Sequence, residues 1–398
     1  MKLEALTRRA ALRRAAAATA AVCAAPLIPP LAAHSGHRGR SFFAYVGTYT
    51  GGKSKGIFAF RFDASHGVLE PVGWVAEIAS PAFLAVHPSK PLLYSVNEMG
   101  EFRGKKAGGV SAFRVNRKDG KLTLINQVSA GGPGPCHLTV DRTGRCVLVA
   151  NYGGGSVASF KIGPGGELSE AVSFIQHQGS STNPNRQKEP HAHSINVSPN
   201  NRFAYAADLG LDKVLIYRLD AKAGTLKASQ PAAASVAPGS GPRHFTFHPG
   251  GRFAYVINEM VCTITAFEHD AKSGALREIQ TLSTLPDGEP LKPEYSTAEI
   301  VAHPSGRFIY GSNRGHHTIA GFRVRSDGRL EPAGHASTEG KTPRNFAIDP
   351  TGAYLLAENQ SSDTIAVLAI DPSTGALRFS GHKVDVPSPV CVRFVKTA

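Results

Sequence analysis

The sequence predicts an all-β fold: a seven-bladed β-propeller whose ring is closed by N-terminal strands pairing with the C-terminal strand. Three observations predict it. A tight turn of the form G-x-L recurs at Gly67, Gly120, Gly166, Gly224, Gly274, Gly328 and Gly375, seven times at a mean spacing of about 51 residues, as propeller blades require. A second signature, a turn followed by an apolar run ending in Asn or Asp, recurs six times. The composition agrees: 42 glycines and 27 prolines among 398 residues punctuate many short strands, and no stretch carries the apolar period of a long helix.

Residues 1–33 read as an export segment. Thr7-Arg8-Arg9-Ala10-Ala11-Leu12-Arg13 resembles the twin-arginine signal, and Ala15–Ala25 supplies a weakly apolar, alanine-rich core. That run is too short to anchor the chain stably in a bilayer. Cleavage is expected near Ala24–Ala33, leaving residues 34–40 as a short linker and residues 41–398 as one propeller domain. The expected partner of the signal is the twin-arginine (Tat) translocase, and the expected destination is the periplasm or beyond. Twin-arginine substrates cross the membrane folded, so the domain is expected to fold in the cytoplasm.

Cys23 leaves with the signal. Cys136, Cys146, Cys262 and Cys391 lack C-x-x-C spacing and are expected to be buried thiols, with no metal site. The formal charge is +14, but seven cations and one anion lie in residues 1–40, so +8 remains on the domain. That balance favours a small anionic ligand, and the absence of a basic run or basic helix excludes nucleic acid.

Within the domain, each G-x-L glycine suits a hairpin position needing positive φ, and most follow an alternating strand such as Val110–Val115, Ser156–Ile162 or Thr318–Val324. The second signature marks an inner hairpin, running from His87 to Asn97, Asp141 to Asn151, Ser198 to Asp208, His248 to Asn258, His303 to Asn313 and Asp349 to Asn359. In the third copy, Ser194–Val197 and Phe203–Ala207 form the two strands, bringing His191 and His193 towards Asp208. A seventh copy is missing. Val390–Val395 resembles the first strand of the hairpin and Phe42–Tyr49 the second, so their pairing is expected to complete a composite blade and leave no open edge. Two β-sandwiches would need a linker in mid-chain, and none is present.

Polar residues collect at the open ends of these hairpins. Before the turns stand His137, His193, Arg243, His244, Glu299, Arg344 and Asn345; after them stand Glu98, Asn151, Tyr152, Asn258, Glu259, Asn313 and Arg314. In a propeller both sets face one mouth of the central channel. The recurring asparagines either cap loops, as Asn does in any repeat, or bind a ligand. His87, His248 and His303 lie in the turns at the opposite end and are read as structural. His193, Arg243, Glu259 and Arg314 break the repeat, each in its own blade, and convergent titratable groups in a concavity mark a site. The long polar loop 174–193 leads into this mouth as a lid or wall. Gly153-Gly154-Gly155 is read as a close backbone turn, and no G-x-S-x-G announces a serine nucleophile.

At these residues the chain resembles the seven-bladed propeller lactonases, a family that includes bacterial 6-phosphogluconolactonases and fungal carboxymuconate-cyclising enzymes. The likeness is carried by Tyr45-Val46-Gly47-Thr48-Tyr49-Thr50, Pro135-Cys136-His137-Leu138, Pro190-His191-Ala192-His193-Ser194, Gly241-Pro242-Arg243-His244, Asn258-Glu259, Asn313-Arg314-Gly315-His316 and Pro389-Val390-Cys391-Val392. The resemblance implies His193 (or His191), Arg243, Glu259 and Arg314 as catalytic residues. Substrate contacts are expected from His137, His191, His244, Asn151, Asn258, Glu299, Asn313 and Arg344. The activity implied is hydrolysis of a sugar-acid lactone, with Glu259 or His193 as base and Arg243 stabilising the oxyanion. No metal or other cofactor is expected. Two other readings stay open: a cycloisomerase or lyase acting on a carboxymuconolactone, and a non-catalytic binding propeller. A monomer or weak dimer is expected.

Overall fold

A computed structural model describes residues 41–398; the expected export segment, 1–33, and linker, 34–40, lie outside the described residues. Seven four-stranded antiparallel sheets form a closed ring. In chain order, blade 1 takes residues 41–77 and 389–396, and blades 2 to 7 take residues 84–129, 135–176, 192–235, 242–283, 296–337 and 343–385. The innermost strand of blade 1 is Pro389–Lys396, which pairs antiparallel with Ser41–Thr48 from Phe42↔Lys396 to Thr48↔Pro389. Ring closure therefore follows the predicted composite blade, but the expectation of no open edge is not met: each four-stranded sheet ends at an unpaired outer strand, such as Val68–Glu77 in blade 1. Among the described residues, no helix is long and apolar enough to cross a membrane.

Neighbouring blades bury their apolar faces against each other. Phe203, Tyr205 and Ala207 of blade 4 pack with Phe245, Ala254 and Val256 of blade 5, and the same interlock is repeated around the ring. The repeat signatures supply directed bonds across these seams. The Tyr45, Tyr94, Tyr205, Tyr255 and Tyr310 hydroxyls donate to the carbonyls of Gly120, Gly166, Gly274, Gly328 and Gly375, the glycine of the next blade's G-x-L turn. The Nε2 atoms of His87, His248 and His303 meet the carbonyls of Gly144, Gly306 and Gly352 in the following blade. These histidines are inter-blade staples, as their place in the turns implies. The four described cysteines are buried and free.

One irregularity positions the site. In four inner strands the register skips a residue near the open end, between Pro135/His137, Ala192/Ser194, Pro242/His244 and Pro343/Asn345, and in blade 6 between Thr297/Ile300. The bulged residues are Cys136, His193, Arg243 and Arg344, together with Ala298 and Glu299. A bulge bends the strand and re-aims its side chain, so a ring of bulges turns successive residues toward the channel axis. A proline at the start of three of these four strands carries no N–H for the ladder at that point.

Candidate active site

Glu259 is the hub of the mouth. It follows Asn258, the last residue of the second strand of blade 5, and is 5 % exposed. Its Oε2 lies 3.0 Å from Arg243 Nε and 3.0 Å from Arg314 Nη2, while Oε1 lies 2.7 Å from Arg186 Nη2. His193 Nε2 stands 3.9 Å from Oε2, beyond hydrogen-bond range. Burial alone would raise the Glu259 carboxyl; Arg314, Arg243 and Arg186 together hold it down at about 2. Glu259 is therefore a fixed anion, and a carboxylate of such low basicity is a poor proton acceptor at neutral pH.

Arg243 is buried beneath it. Besides Nε on Glu259, its Nη1 donates to the Ala298 carbonyl at 2.6 Å, and among the described residues Nη2 has no hydrogen-bond partner. Burial, then the charges of Arg314 and Arg344, lower its pKa to about 10, so it remains cationic at neutral pH. Arg344 stacks its guanidinium over the Tyr49 ring at 5.3 Å and donates from Nη2 to the Tyr49 hydroxyl at 2.8 Å. That hydroxyl donates onward to Glu98 Oε2 at 2.7 Å.

Below these lies a floor of rings. His193 and His244 meet edge to face at 5.4 Å, His244 and His137 at 5.3 Å, and Phe83 covers His137 at 4.2 Å. His244 Nδ1 is 2.9 Å from Glu299 Oε1, which also accepts from Ile300 N, while Glu299 Oε2 accepts from Asn345 Nδ2. Between floor and mouth is a void of about 10 Å³, lined among others by Glu98, Cys136, His193, Arg243, His244 and Arg344. On the far side of the floor the channel widens into a cavity of about 250 Å³.

Four of the predicted residues, His193, Arg243, Glu259 and Arg314, are thus drawn into one cluster from three blades: His193 from blade 4, Arg314 from blade 6, and Arg243 and Glu259 both from blade 5, on neighbouring strands of one sheet rather than each in its own blade. His191 stacks on Tyr152 at 4.6 Å at the rim, and His137, His244 and Glu299 form the floor. Asn151, Asn258 and Asn313 are fully buried, and their amides brace strand ends: Asn151 Nδ2 donates to Ala130 O and Ser156 Oγ, Asn258 Nδ2 to Thr263 and Thr265, Asn313 Nδ2 to Thr284 O and Thr318. They take the capping role of a repeat, and the structure does not bring their side chains into the mouth.

Sequence reasoning missed Arg186, which reaches Glu259 and the Tyr152 hydroxyl from the long loop, and the Tyr49–Glu98 pair that seats Arg344. Arg186 belongs to no repeat; its one signal was its place in the polar loop. The loop is a strapped wall. Gln187 is fully buried, donating to Leu209 O at 2.8 Å and accepting from Asn183 N at 3.0 Å. His177, at its base, bridges Asp208 at 2.6 Å and the Tyr217 hydroxyl at 2.8 Å. Gly155, at φ +55°, lets the loop's end pass, since a Cβ there would fall 2.3 Å from the Pro190 carbonyl oxygen.

Comparison with known proteins follows the same outline. Residues 43–394 match the family described as Lactonase, 7-bladed beta-propeller. The 6-phosphogluconolactonase of Bacillus subtilis (strain 168) is 37 % identical over 355 residues, 89 % of this chain and 98 % of that protein. The 6-phosphogluconolactonase of Formosa agariphila is 34 % identical, covering 84 % of this chain and 94 % of its own. Among solved structures, the periplasmic gluconolactonase of Pseudomonas aeruginosa superimposes with a TM-score of 0.84 at 35 % identity, covering 90 % of this chain and 100 % of that one.

Proposed function

The chain belongs to the seven-bladed β-propeller lactonase family, and from that premise we propose that it hydrolyses a sugar-acid lactone at the channel mouth. The observation that carries the reading is the convergence of Arg243 and Arg344 with the imidazoles of His193 and His244 around one small concavity, with Arg314 beside Arg243 on the Glu259 carboxylate. Lactone opening places negative charge first on the carbonyl oxygen. A buried, preorganised cation beside that oxygen stabilises it without reorganisation, and the free Nη2 of Arg243 is such a donor. Arg314 and Arg344, both partly exposed at the rim, suit an anionic substituent or the carboxylate that forms as the ring opens. The proton of the attacking water passes to an imidazole of the floor, because Glu259 is neutralised by its three arginines. The chemistry is general acid–base, without a covalent intermediate.

We place the working enzyme outside the inner membrane, supported by the Arg8-Arg9 signal and by the periplasmic relative. There the substrate is an unphosphorylated aldonolactone, since sugar phosphates are made and kept inside the cell. The test is a panel of glucono-δ-lactone, its 6-phosphate and a carboxymuconolactone, followed by acid release and ring absorbance. The sugar lactones are expected to open, with Arg243→Ala lowering kcat on the order of a hundredfold. Turnover of the muconolactone alone would replace hydrolysis by isomerisation, and no turnover of any of the three would leave a binding propeller.

A further inference from the structure

We propose that His244, oriented by Glu299, is the catalytic base of the lactonase proposed above, and that Glu299 is its positioning residue. The inference rests on that reading and names the group that takes the proton. Of the two imidazoles beside the small void, only His244 has a carboxyl group within hydrogen-bond range of its ring. Glu299 reaches Nδ1 at 2.9 Å, whereas His193 faces Cys136 Sγ at 3.5 Å on one nitrogen and Glu259 at 3.9 Å on the other. Glu299 is itself held from two further sides, by Ile300 N and by Asn345 Nδ2 from the next blade. A carboxylate receiving those donors accepts from His244 as well, which fixes the tautomer with its proton on Nδ1. The Nε2 lone pair is then free, and among the described residues no group hydrogen-bonds to it. This is the base-plus-orienter arrangement that activates water or hydroxyl nucleophiles on unrelated folds.

The void between His244, His193, Arg243, Arg344 and Glu98 has about the volume of a single water, and it is polar enough to hold one. The step balances as follows. Water loses one proton to His244 Nε2 as its oxygen bonds to the lactone carbonyl carbon. The carbonyl π electrons move to the oxygen, where Arg243 Nη2 receives the charge. Collapse of the tetrahedral intermediate breaks the ring C–O bond, and the proton on Nε2 passes to the departing alkoxide, giving a hydroxy acid. The groups that bear on the His244 ring are Glu299, His193 and His137 in contact and the charges of Arg243, Arg344, Arg393 and Glu259 around it. Burial, then Arg243, Arg344 and Arg393, hold the His244 imidazole well below its ordinary value, against which the Glu259 charge works; Glu299 is the carboxyl in direct contact with the ring.

The test compares wild type, Glu299→Gln, Glu299→Asp and His244→Gln on glucono-δ-lactone, as kcat and KM across pH, with thermal melts to confirm folding. Glu299→Gln keeps the shape but loses the charge. It is expected to lower kcat about a hundredfold with KM little changed, and to move the acid limb of the kcat profile to lower pH, because the imidazolium loses its anion. Glu299→Asp should recover part of the rate, and His244→Gln should abolish the limb. A folded Glu299→Gln enzyme with wild-type kcat and an unmoved limb would overturn the inference while leaving the lactonase reading intact. A loss of melting temperature with unchanged kcat and limb would do the same, reducing Glu299 to a structural role. A wild-type enzyme inert towards every lactone would remove both.

Discussion

Glu259 is where the stability of the channel mouth is concentrated. Three guanidinium groups converge on a carboxylate that is almost wholly out of water, an arrangement in which losing the anion costs more than the pair itself is worth. Glu259→Gln is expected to destabilise the fold by about 3–5 kcal/mol, since it leaves buried cations uncompensated. The pH dependence has a definite sign. The folded-state pKa lies at about 2, below the ordinary 4.5, so this stabilisation is present above pH 4.5 and lost as pH falls through 2. Denaturant melts at pH 7, 4 and 2.5 should show wild type losing stability over that window. The Gln variant should be less stable at pH 7 and flatter across the window. Equal slopes for the two proteins would mean that Glu259 is not the titrating anion.

At the scale of elements, the inner-strand bulges and the long loop build the site. The bulges were not legible as bulges, but prolines precede Cys136, Arg243 and Arg344 where the ladder gives way, and the polar residues read before the turns included the bulged His193, Arg243, Glu299 and Arg344, though not Cys136 or Ala298. The loop was legible as a wall or lid by its length and polarity, whereas the reach of Arg186 to Glu259 depended on a fold-back that no periodicity encodes. The straps decide between the two readings of the loop. Gln187 is anchored at 0 % exposure, and Ser181 Oγ donates to Asp212 Oδ2 at 2.6 Å, so the segment is held at its middle as well as at its base. Gln187→Ala is expected to cost about 1–3 kcal/mol by leaving the Leu209 carbonyl unpaired. It should also raise KM more than it lowers kcat, because Arg186 loses its placement while Arg243 and His244 keep theirs. A rise in hydrogen exchange confined to residues 178–190 would mark the same change; unaltered KM and exchange would refute the strap.

For the whole molecule, the repeat made the ring predictable, and its irregularities marked the residues that the structure gathers into one cluster. Seven G-x-L turns gave the number of blades, and the missing hairpin gave the closure through Pro389–Lys396 and Ser41–Thr48. His193, Arg243, Glu259 and Arg314 stood out because identical blades have no reason to carry different charges at equivalent positions. For Asn151, Asn258 and Asn313 the sequence left capping and binding both open, and the structure shows each amide bracing its own strand end. The His244–Glu299 contact spans 55 residues and two blades, and only the closed ring reveals it. A propeller of this kind is a rigid frame that points one or two side chains per blade at a common axis.

The central claim is that a lactone meets side chains of several blades at this one mouth. A crystal structure of the protein with bound gluconate, or with a non-hydrolysable gluconolactam, tests it most directly. The account predicts the carbonyl or carboxylate oxygen within hydrogen-bond range of Arg243, with Arg314 or Arg344 on the rim side and His244 Nε2 facing the carbonyl carbon. A ligand seated in the cavity beyond the His137–His244 floor, or on the outer face of the blades, would contradict it.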